Sequence, residues 1–545
     1  MTPDKAVRET DETGTRLATE YWQRQTGRTN TFDVCRPVDA LTLRIALLAA
    51  ARGEQGVVFP RIPLVDDSVG LSSNSVVQLS LINALRVAAR NDRRYQKLKE
   101  DVFFRALDLD YQQYAFDTSF SGLMLGVLSG GSGADKARGG AEASAERTLP
   151  DGTTVASRLA LDVVSLLSDD WRSSSLAGDL TVTVPLMRGS GRDIVQEPLT
   201  QAERNLDYAI QTLENYRQSY AVSVAAGYYR VLQLAQQLRN AVENERRLDL
   251  NSRRADMMFD AGRMQRIQVD QARTDLLKAG DSVVGARKSF QSQLDAFKIL
   301  IGLPPEALVV VDDEELYRLE TLMAKVAQSS RSAVADFPDE AEAFRIALSS
   351  RHDLMITRGQ LEDAERGVKV AADALRADVA FNGGLASSRT RATGDNGVSS
   401  EEKWLADVHI GFPWDRRRER NAFKKQLIAL EQAKRTLEEQ EDGVKLGVRN
   451  GLRTLVASRA SYEIQVESMK VAKMRVDSNN LFLQSGRSVM RDILDAESAM
   501  LTARNAFCAA VIQWRISGLD LRRDMGVLEV TDQGMWRIAN GENHD

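Results

Sequence analysis

Apolar residues recur with two periods along this chain, and the order in which the periods alternate is its clearest signal. Leu81, Ala84, Leu85, Ala88 and Ala89 share a helical face, so a helix is expected from about Val77 to Tyr114. The period then drops to two: Phe116, Thr118 and Phe120 alternate with polar neighbours, and Leu123, Leu125 and Val127 line the other face. From Ser129-Gly130-Gly131-Ser132-Gly133 to Asp151 the residues are small and polar, which predicts a loop. Alternation returns at Val155, Leu159, Leu161 and Val163, and again at Leu180, Val182, Val184 and Leu186. A period of two means a strand whose faces meet different surroundings.

Leu199 to Leu303 contains no proline and reads as helix throughout, with one break at Ala261-Gly262-Arg263 and a stop at Pro304-Pro305. At 1.5 Å per residue the first arm, to about Phe259, would be roughly 90 Å long, far beyond an ordinary globular helix. The pattern then starts again. A helix is expected over about Asp339–Leu375, then alternation at Ala377, Val379, Phe381, Gly383 and Leu385. A polar loop follows from Ser387 to Glu402, and then alternation at Trp404, Ala406, Val408, Ile410 and Phe412. A second long helix runs to about Leu483, breaks at Ser485-Gly486-Arg487 and continues to about Met525. Residues 1–75, punctuated by Pro37, Pro60 and Pro63, read as an extended arm with a short helix near Leu41–Arg52.

The two halves align without a gap at an offset of 224 from Thr212 to Leu303. Thr212-Leu213-Glu214 matches Thr436-Leu437-Glu438, Gly227 matches Gly451, Gly262-Arg263 matches Gly486-Arg487, and Gly302 matches Gly526. Ala/Leu coincidences between two helical segments are cheap; paired Gly-Arg breaks with strand insertions at equivalent places point to duplication. The expected divisions are an arm at 1–75, a first repeat at 76–305, a linker at 306–338, a second repeat at 339–530 and a tail at 531–545.

Composition narrows the function classes. With 43% hydrophobic and 27% charged residues the chain is not disordered, and a net charge of −5 without a basic stripe excludes a nucleic-acid partner. Cys35 and Cys508 make neither a disulfide framework nor a zinc site, and Cys35 lacks the apolar run of a lipobox. His352, His409 and His544 are scattered without metal spacing, and Gly130–Gly133 is not followed by a phosphate-loop lysine. No enzyme, metal or cofactor is expected. No apolar run reaches the ~18 residues of a membrane helix, and Met1 to Arg28 shows no export leader. Short alternating strands remain compatible with a barrel in a membrane. Each half offers two main strand candidates, so the chain supplies about four; four cannot close a barrel, and open edges are not tolerated in lipid, so copies must pool them.

Helix, strand pair, long helix and hairpin return, repeated twice over about residues 77–530, resembles the TolC family of outer-membrane efflux proteins. Ala84-Leu85-Arg86-Val87-Ala88-Ala89-Arg90-Asn91-Asp92 is similar to the family's opening helix. Val184-Pro185-Leu186-Met187-Arg188-Gly189 and Gly411-Phe412-Pro413-Trp414 are similar to its strand-to-helix joints, and Ser485-Gly486-Arg487 followed by Asp492-Ile493-Leu494-Asp495-Ala496 to its second hairpin turn. The resemblance implies a mainly α fold with β: long antiparallel helical hairpins forming a periplasmic α-barrel in a homotrimer, joined to a shared twelve-strand transmembrane barrel. It implies an exit duct in the outer membrane for small molecules or proteins, serving a tripartite efflux or type I secretion system. A periplasmic adaptor (membrane fusion) protein and an inner-membrane transporter would be its partners.

The alternating segment around Val155–Val163 exceeds a plain two-strand insert. Asp492 and Asp495 lie three apart on one helix face, and the resemblance places them at the periplasmic mouth, where three copies would form acidic rings. In the first half, Asp270 and Gln271 stand where Leu494 and Asp495 stand in the second, so no equal pair is repeated there. Gly262, Arg263, Gly486 and Arg487 would be the hairpin tips that meet the adaptor. Trp404, Phe412 and Trp414 are candidates for a membrane interface. The competing reading is a soluble coiled-coil scaffold, which leaves the paired alternating segments without a role.

Overall fold

The structure is a computed structural model. It describes residues 3–32, 77–129, 136–166, 172–307, 309–311, 314–315, 317–318, 321, 339–392, 398–412, 414–485, 487–531 and 536–537. The helix expected near Leu41–Arg52 therefore lies outside the described residues. The elements in order are α1 (Pro3–Thr26), β1 (Val77–Leu79), α2 (Leu81–Asn91), α3 (Arg93–Tyr114), β2 (Ser119–Ser129), β3 (Lys136–Thr148), β4 (Thr154–Leu166) and β5 (Arg172–Pro185). Then come α4 (Arg192–Val195), α5 (Glu197–Asp260), α6 (Arg266–Leu300), β6 (Val309–Val311), α7 (Glu340–Ser350) and α8 (His352–Asp373). The remainder is β7 (Asp378–Ala392), β8 (Ser399–Gly411), α9 (Arg417–Gln484), α10 (Met490–Asp524), β9 (Glu529–Val530) and β10 (Trp536–Arg537).

The chain forms two compact units, each drawing on both sequence repeats. One holds Met1–Asp33, Glu100–Gln211 and Ile356–Glu439; the other holds Val34–Lys99, Thr212–Met355 and Gln440–Asp545.

The first unit contains an antiparallel sheet of six strands in the order β2-β3-β4-β5-β7-β8. The sequence pattern predicts about four. The alternating segment around Val155–Val163 is one further strand, β4, and the other is β3, KARGGAEASAERT, which occupies much of the expected loop before Asp151. Its alternation pairs Ala and Gly against Arg and Glu, residues of low strand propensity, so only the ladder with β2 and β4 defines it. The ladder also extends β7 and β8 into the polar stretch expected to be loop, pairing Ser387 with Glu402 and Thr390 with Ser399.

The first unit also holds α1, a 24-residue helix where an extended arm is expected. Leu17, Ala18 and Trp22 are buried, and Trp22 packs on Phe32 with ring centroids 5.3 Å apart. A Cβ at Gly14 would fall 2.6 Å from the Phe103 ring of α3, so α1 lies tight against that helix. At its other end Tyr21 donates to Glu203 of α5.

The second unit is built from the helical hairpins: the 64-residue α5 from Thr212 onward, the 68-residue α9 from Gln440 onward, and the return helices α6 and α10, of 35 residues each. Their contacts carry the repeat in three dimensions. A Cβ at Gly227 would crowd Phe297, and a Cβ at the equivalent Gly451 would crowd Leu521, the residue equivalent to Phe297. Gly302, at φ +77, closes against Asn91 where α2 gives way to α3, and Gly526, at φ +71, closes against Ser350 where α7 gives way to α8. The single opening helix expected in each half is thus broken once, at Asp92 and at Arg351, both extended. The core gathers Tyr228, Tyr229, Phe297, Val448, Trp514 and Leu519, each side chain contributing about 1.5–3 kcal/mol by leaving water.

Candidate functional site

The six-stranded sheet has two unlike faces. The register sets Phe120, Met124 and Leu128 of β2 level with Ala145, Ala141 and Ala137 of β3. Ala141 and Ala143 stand beside Leu161 and Leu159 of β4, and Leu161 stands beside Leu176 of β5. Leu180 and Val184 stand beside Leu385 and Phe381 of β7, which stand beside Trp404 and Val408 of β8. This face is continuous and apolar, yet in the single chain Phe120, Met124, Leu128 and Trp404 are 78–88% exposed.

The other face is largely polar and cross-linked from β3 to β8, while β2 turns Leu123, Leu125 and Val127 to it. Arg138 of β3 forks onto Asp162 of β4. Glu142 of β3 pairs with Arg158 of β4 at 2.6 Å, and Arg158 stands opposite Asp179 of β5. The Ser121 and Ser144 hydroxyls are 2.6 Å apart, and the Asn382 amide donates to Asp407 at 3.0 Å. Such a sheet fits lipid on one side and water on the other.

Aromatic residues mark the limits of the apolar face. Phe412 and Trp414 follow the helix-side end of β8, and Phe120 and Phe381 lie near that end of β2 and β7. Trp404 sits inside β8 rather than at its end, where the outward residues turn polar at Glu402 and Ser400. From Trp404 to Phe412 the strand climbs about 21 Å at a tilt of about 40°, close to the ~25 Å apolar band of an outer-membrane barrel.

The hairpin tips end alike. Arg263 N–H donates to the Met258 carbonyl at 2.8 Å, and Arg487 N–H donates to the equivalent Phe482 carbonyl at 2.8 Å. Gly262 takes φ +69, the left-handed conformation that closes a helix. Gly486 lies outside the described residues. Met257, Ile267, Leu481 and Val489 leave apolar surface exposed around the tips. Beneath them Val269 and Ala272 of α6 share a buried cluster with Met490, Ile493 and Leu494 of α10.

That packing turns Asp492 and Asp495 to the exposed side of α10. Asp492 accepts the Val489 N–H at 3.1 Å and the Ser488 hydroxyl at 2.9 Å. These two donors hold its carboxyl below the usual carboxylate range. Asp492, the third residue of the helix, thus reaches back to bond the N–H of the N-cap residue Val489. Asp495 faces Arg491 at 3.9 Å, so basic charge stands beside the acidic pair.

Higher on the hairpins, Glu497 of α10 is 4% exposed and bonds Arg247 of α5 at 3.0 Å. Glu243 also binds Arg247, at 2.7 Å, and Arg504, at 2.9 Å. Burial pushes the Glu497 carboxyl up despite these cations.

Cys508 is buried and unbridged, while Cys35 and His544 lie outside the described residues. His409 is on the polar face of β8, and His352 opens α8. Among the described residues no His/Cys/Asp/Glu cluster could hold a metal, and no helix is long and apolar enough to cross a membrane. Sequence reasoning missed the polar-face set Arg138, Glu142, Arg158, Asp162 and Asp179. The alternation of charge with alanine in β3 was its one visible trace.

A family model described as outer membrane efflux protein matches residues 134–303 and 344–527. Among solved structures, the fold is similar to that of the outer-membrane channel OprN, at 14% identity and a TM-score of 0.57, over 88% of this chain and 99% of that one. It is similar to the CmeC outer membrane channel of Campylobacter jejuni, at 13% identity and a TM-score of 0.56, over 87% and 94% of the two chains. It is also similar to the outer membrane protein VceC of Vibrio cholerae, at 13% identity and a TM-score of 0.56, over 82% and 96%. No curated protein matches the chain in sequence.

Proposed function

Because the chain belongs to the outer membrane efflux protein family, we propose that it is one of three identical subunits of an exit duct serving a tripartite efflux or type I secretion system. The family is one of transport ducts rather than enzymes, and its place is the outer membrane. The observation that supports the pooling of copies is the sheet. One face is apolar across all six strands and the other is largely polar from β3 to β8, with free edges at β2 and β8. Lipid admits no free edge, so the sheet must join others like itself. A soluble coiled-coil scaffold would leave that apolar face in water. Cargo would be small molecules or proteins crossing from the periplasm.

In this reading the exposed apolar residues around Gly262, Arg263, Gly486 and Arg487 would take a periplasmic adaptor protein, with the inner-membrane transporter beyond. Three copies of Asp492 and Asp495 would ring the periplasmic mouth, attracting and trapping divalent cations. Native mass after detergent extraction, with bilayer conductance on the same sample, tests the duct. A conducting trimer is expected; a non-conducting, water-soluble oligomer would overturn the reading. Asp495→Ala, which leaves the helix cap intact, should weaken divalent-cation block; unchanged block would remove Asp495 from the mouth.

A further inference from the structure

The two halves of the chain differ in their strand insertions: the first inserts four strands between its helices, from Tyr114 to Glu197, and the second inserts two, from Asp373 to Arg417. We infer that all six strands lie in the membrane wall, so that the outlet is built from eighteen strands instead of twelve and passes wider cargo. The copy number of three rests on the reading above; the membership of all six strands in the wall does not.

Three observations place the additional hairpin in the wall. First, the ladder is unbroken. β2 pairs with β3 from Ser119–Glu146 to Ser129–Lys136, and β3 pairs with β4 from Lys136–Leu166 to Thr148–Thr154. Second, the apolar face continues through both of its strands and the polar face through β3, while the edge strand β2 turns Leu123, Leu125 and Val127 to that side. Phe120, Met124 and Leu128 extend the apolar side, while Arg138 and Glu142 reach Asp162 and Arg158 on the polar side. A hairpin folded away from the wall has no reason to sort its residues this way.

Third, the turn that joins β3 to β4 is fastened at the helix side. Asp151 accepts the Thr153 N–H and hydroxyl, each at 3.0 Å, and its carbonyl accepts the Gly191 N–H at 3.3 Å. A Cβ at Gly152, whose φ is +94, would fall 2.8 Å from the Gly189 carbonyl and 2.9 Å from the Pro185 ring. The turn is thus wedged into the joint where β5 enters the helices. On the same half, α1 seats against α3 and α5, the helices that flank the four strands, adding a helix where strands were added.

An even number of antiparallel strands brings β8 of one copy beside β2 of the next in antiparallel order, so the sheets close without a mismatch. With strands about 4.8 Å apart and tilted about 40°, eighteen give a backbone radius of about 18 Å and twelve about 12 Å. Allowing about 5 Å of side chain on each side, the clear passage is roughly 25 Å against roughly 14 Å; that is room for two packed helices of about 10–12 Å instead of one. The cargo class this outlet suits is a polypeptide helical hairpin or a polar molecule of that girth.

The experiment compares the full chain with a variant lacking residues 119–153, which joins α3 directly to β4. Both are reconstituted in bilayers with neutral polymers of graded size as the probe. The variant's conductance should fall to about a third, and its polymer cut-off by nearly half, as the clear passage narrows from roughly 25 Å to roughly 14 Å. Unchanged values would put the hairpin outside the wall and overturn the inference.

If the variant fails to fold, disulfide cross-linking in the full chain decides, with Cys35 and Cys508 replaced by serine. Cysteines at Ser121, Leu123 or Leu125 of β2 are paired with cysteines at Leu405, Asp407 or His409 of β8. Covalent links between copies are expected. Links from β8 to cysteines at Arg158 or Ala160 of β4 instead would overturn the inference. Native mass is read separately: a count other than three sinks the trimer, while the cross-links still report which strands form the wall.

Discussion

Single residues here act through backbone geometry and through the groups that surround a charge. Gly152 combines a left-handed φ with backbone and ring atoms at 2.8–3.0 Å from any added Cβ. Gly152→Ala should therefore destabilise the sheet-bearing unit by about 1–3 kcal/mol, measured by urea titration of the folded barrel. A like change at Gly262, with nothing near its Cβ, meets only the conformational strain. Asp492 shows how a charge can serve a helix before it serves a pore. Its folded-state carboxyl titrates below the unfolded value because Val489 and Ser488 donate to it. Its contribution to α10 is present above the unfolded carboxylate range and is lost as pH falls through the depressed range. Asp492→Asn should reduce amide protection in the first turn of α10 at neutral pH, and the difference from the parent should vanish at the acid limit. Hydrogen exchange across that range checks it. The three-residue spacing to Asp495 was legible in the sequence; the cap was not, because Ser488 and Val489 become donors only when the turn folds.

At the scale of elements, strand faces and helix contacts decide what a substitution does. Leu161→Arg puts a charge on the apolar face of β4 and should cost about 2–4 kcal/mol in vesicles, whereas Ala160→Arg, one residue away on the polar face, should be nearly neutral. Equal costs would contradict the assignment of faces. Between α5 and α10 the Glu497 carboxyl is pushed up by burial, with Arg247, Arg504 and Glu243 around it. A raised carboxyl binds its proton more tightly in the fold than in the unfolded chain. This favours the fold at low pH, and the benefit is lost as pH rises through the raised value. The melting temperature of Glu497→Gln should gain on that of the parent over that rise. Element order and the breaks between α5 and α6 and between α9 and α10 were readable from period and glycine placement. β3 was not, since an Ala/Gly/charge pattern has no strand preference of its own and is held by its neighbours' ladders.

For the whole molecule the relevant quantities are a duplicated helical frame and an unequal pair of strand insertions. The polar face of the sheet carries Glu142, Glu146, Asp162, Asp179 and Asp407 against Arg138, Arg158 and Lys403. With acids in excess, the open duct should prefer cations mildly, and Asp407→Asn should move the reversal potential in a salt gradient toward zero. No shift would place Asp407 away from the conducting path.

The chain by itself determined what local chemistry can determine: proline-free helices far longer than a globular core needs, glycine breaks, alternating strands and a repeat held in register. These are carried by period and by residue type, which need no neighbours to be read. The tertiary structure decided the rest. It supplied the strand made of alanine and charge, the helix α1 where irregular chain was expected, the kinks at Asp92 and Arg351, and the side of α10 on which the acids stand. Each of these depends on which groups are brought within a few ångströms across long stretches of chain, and that information is absent until the backbone has closed upon itself.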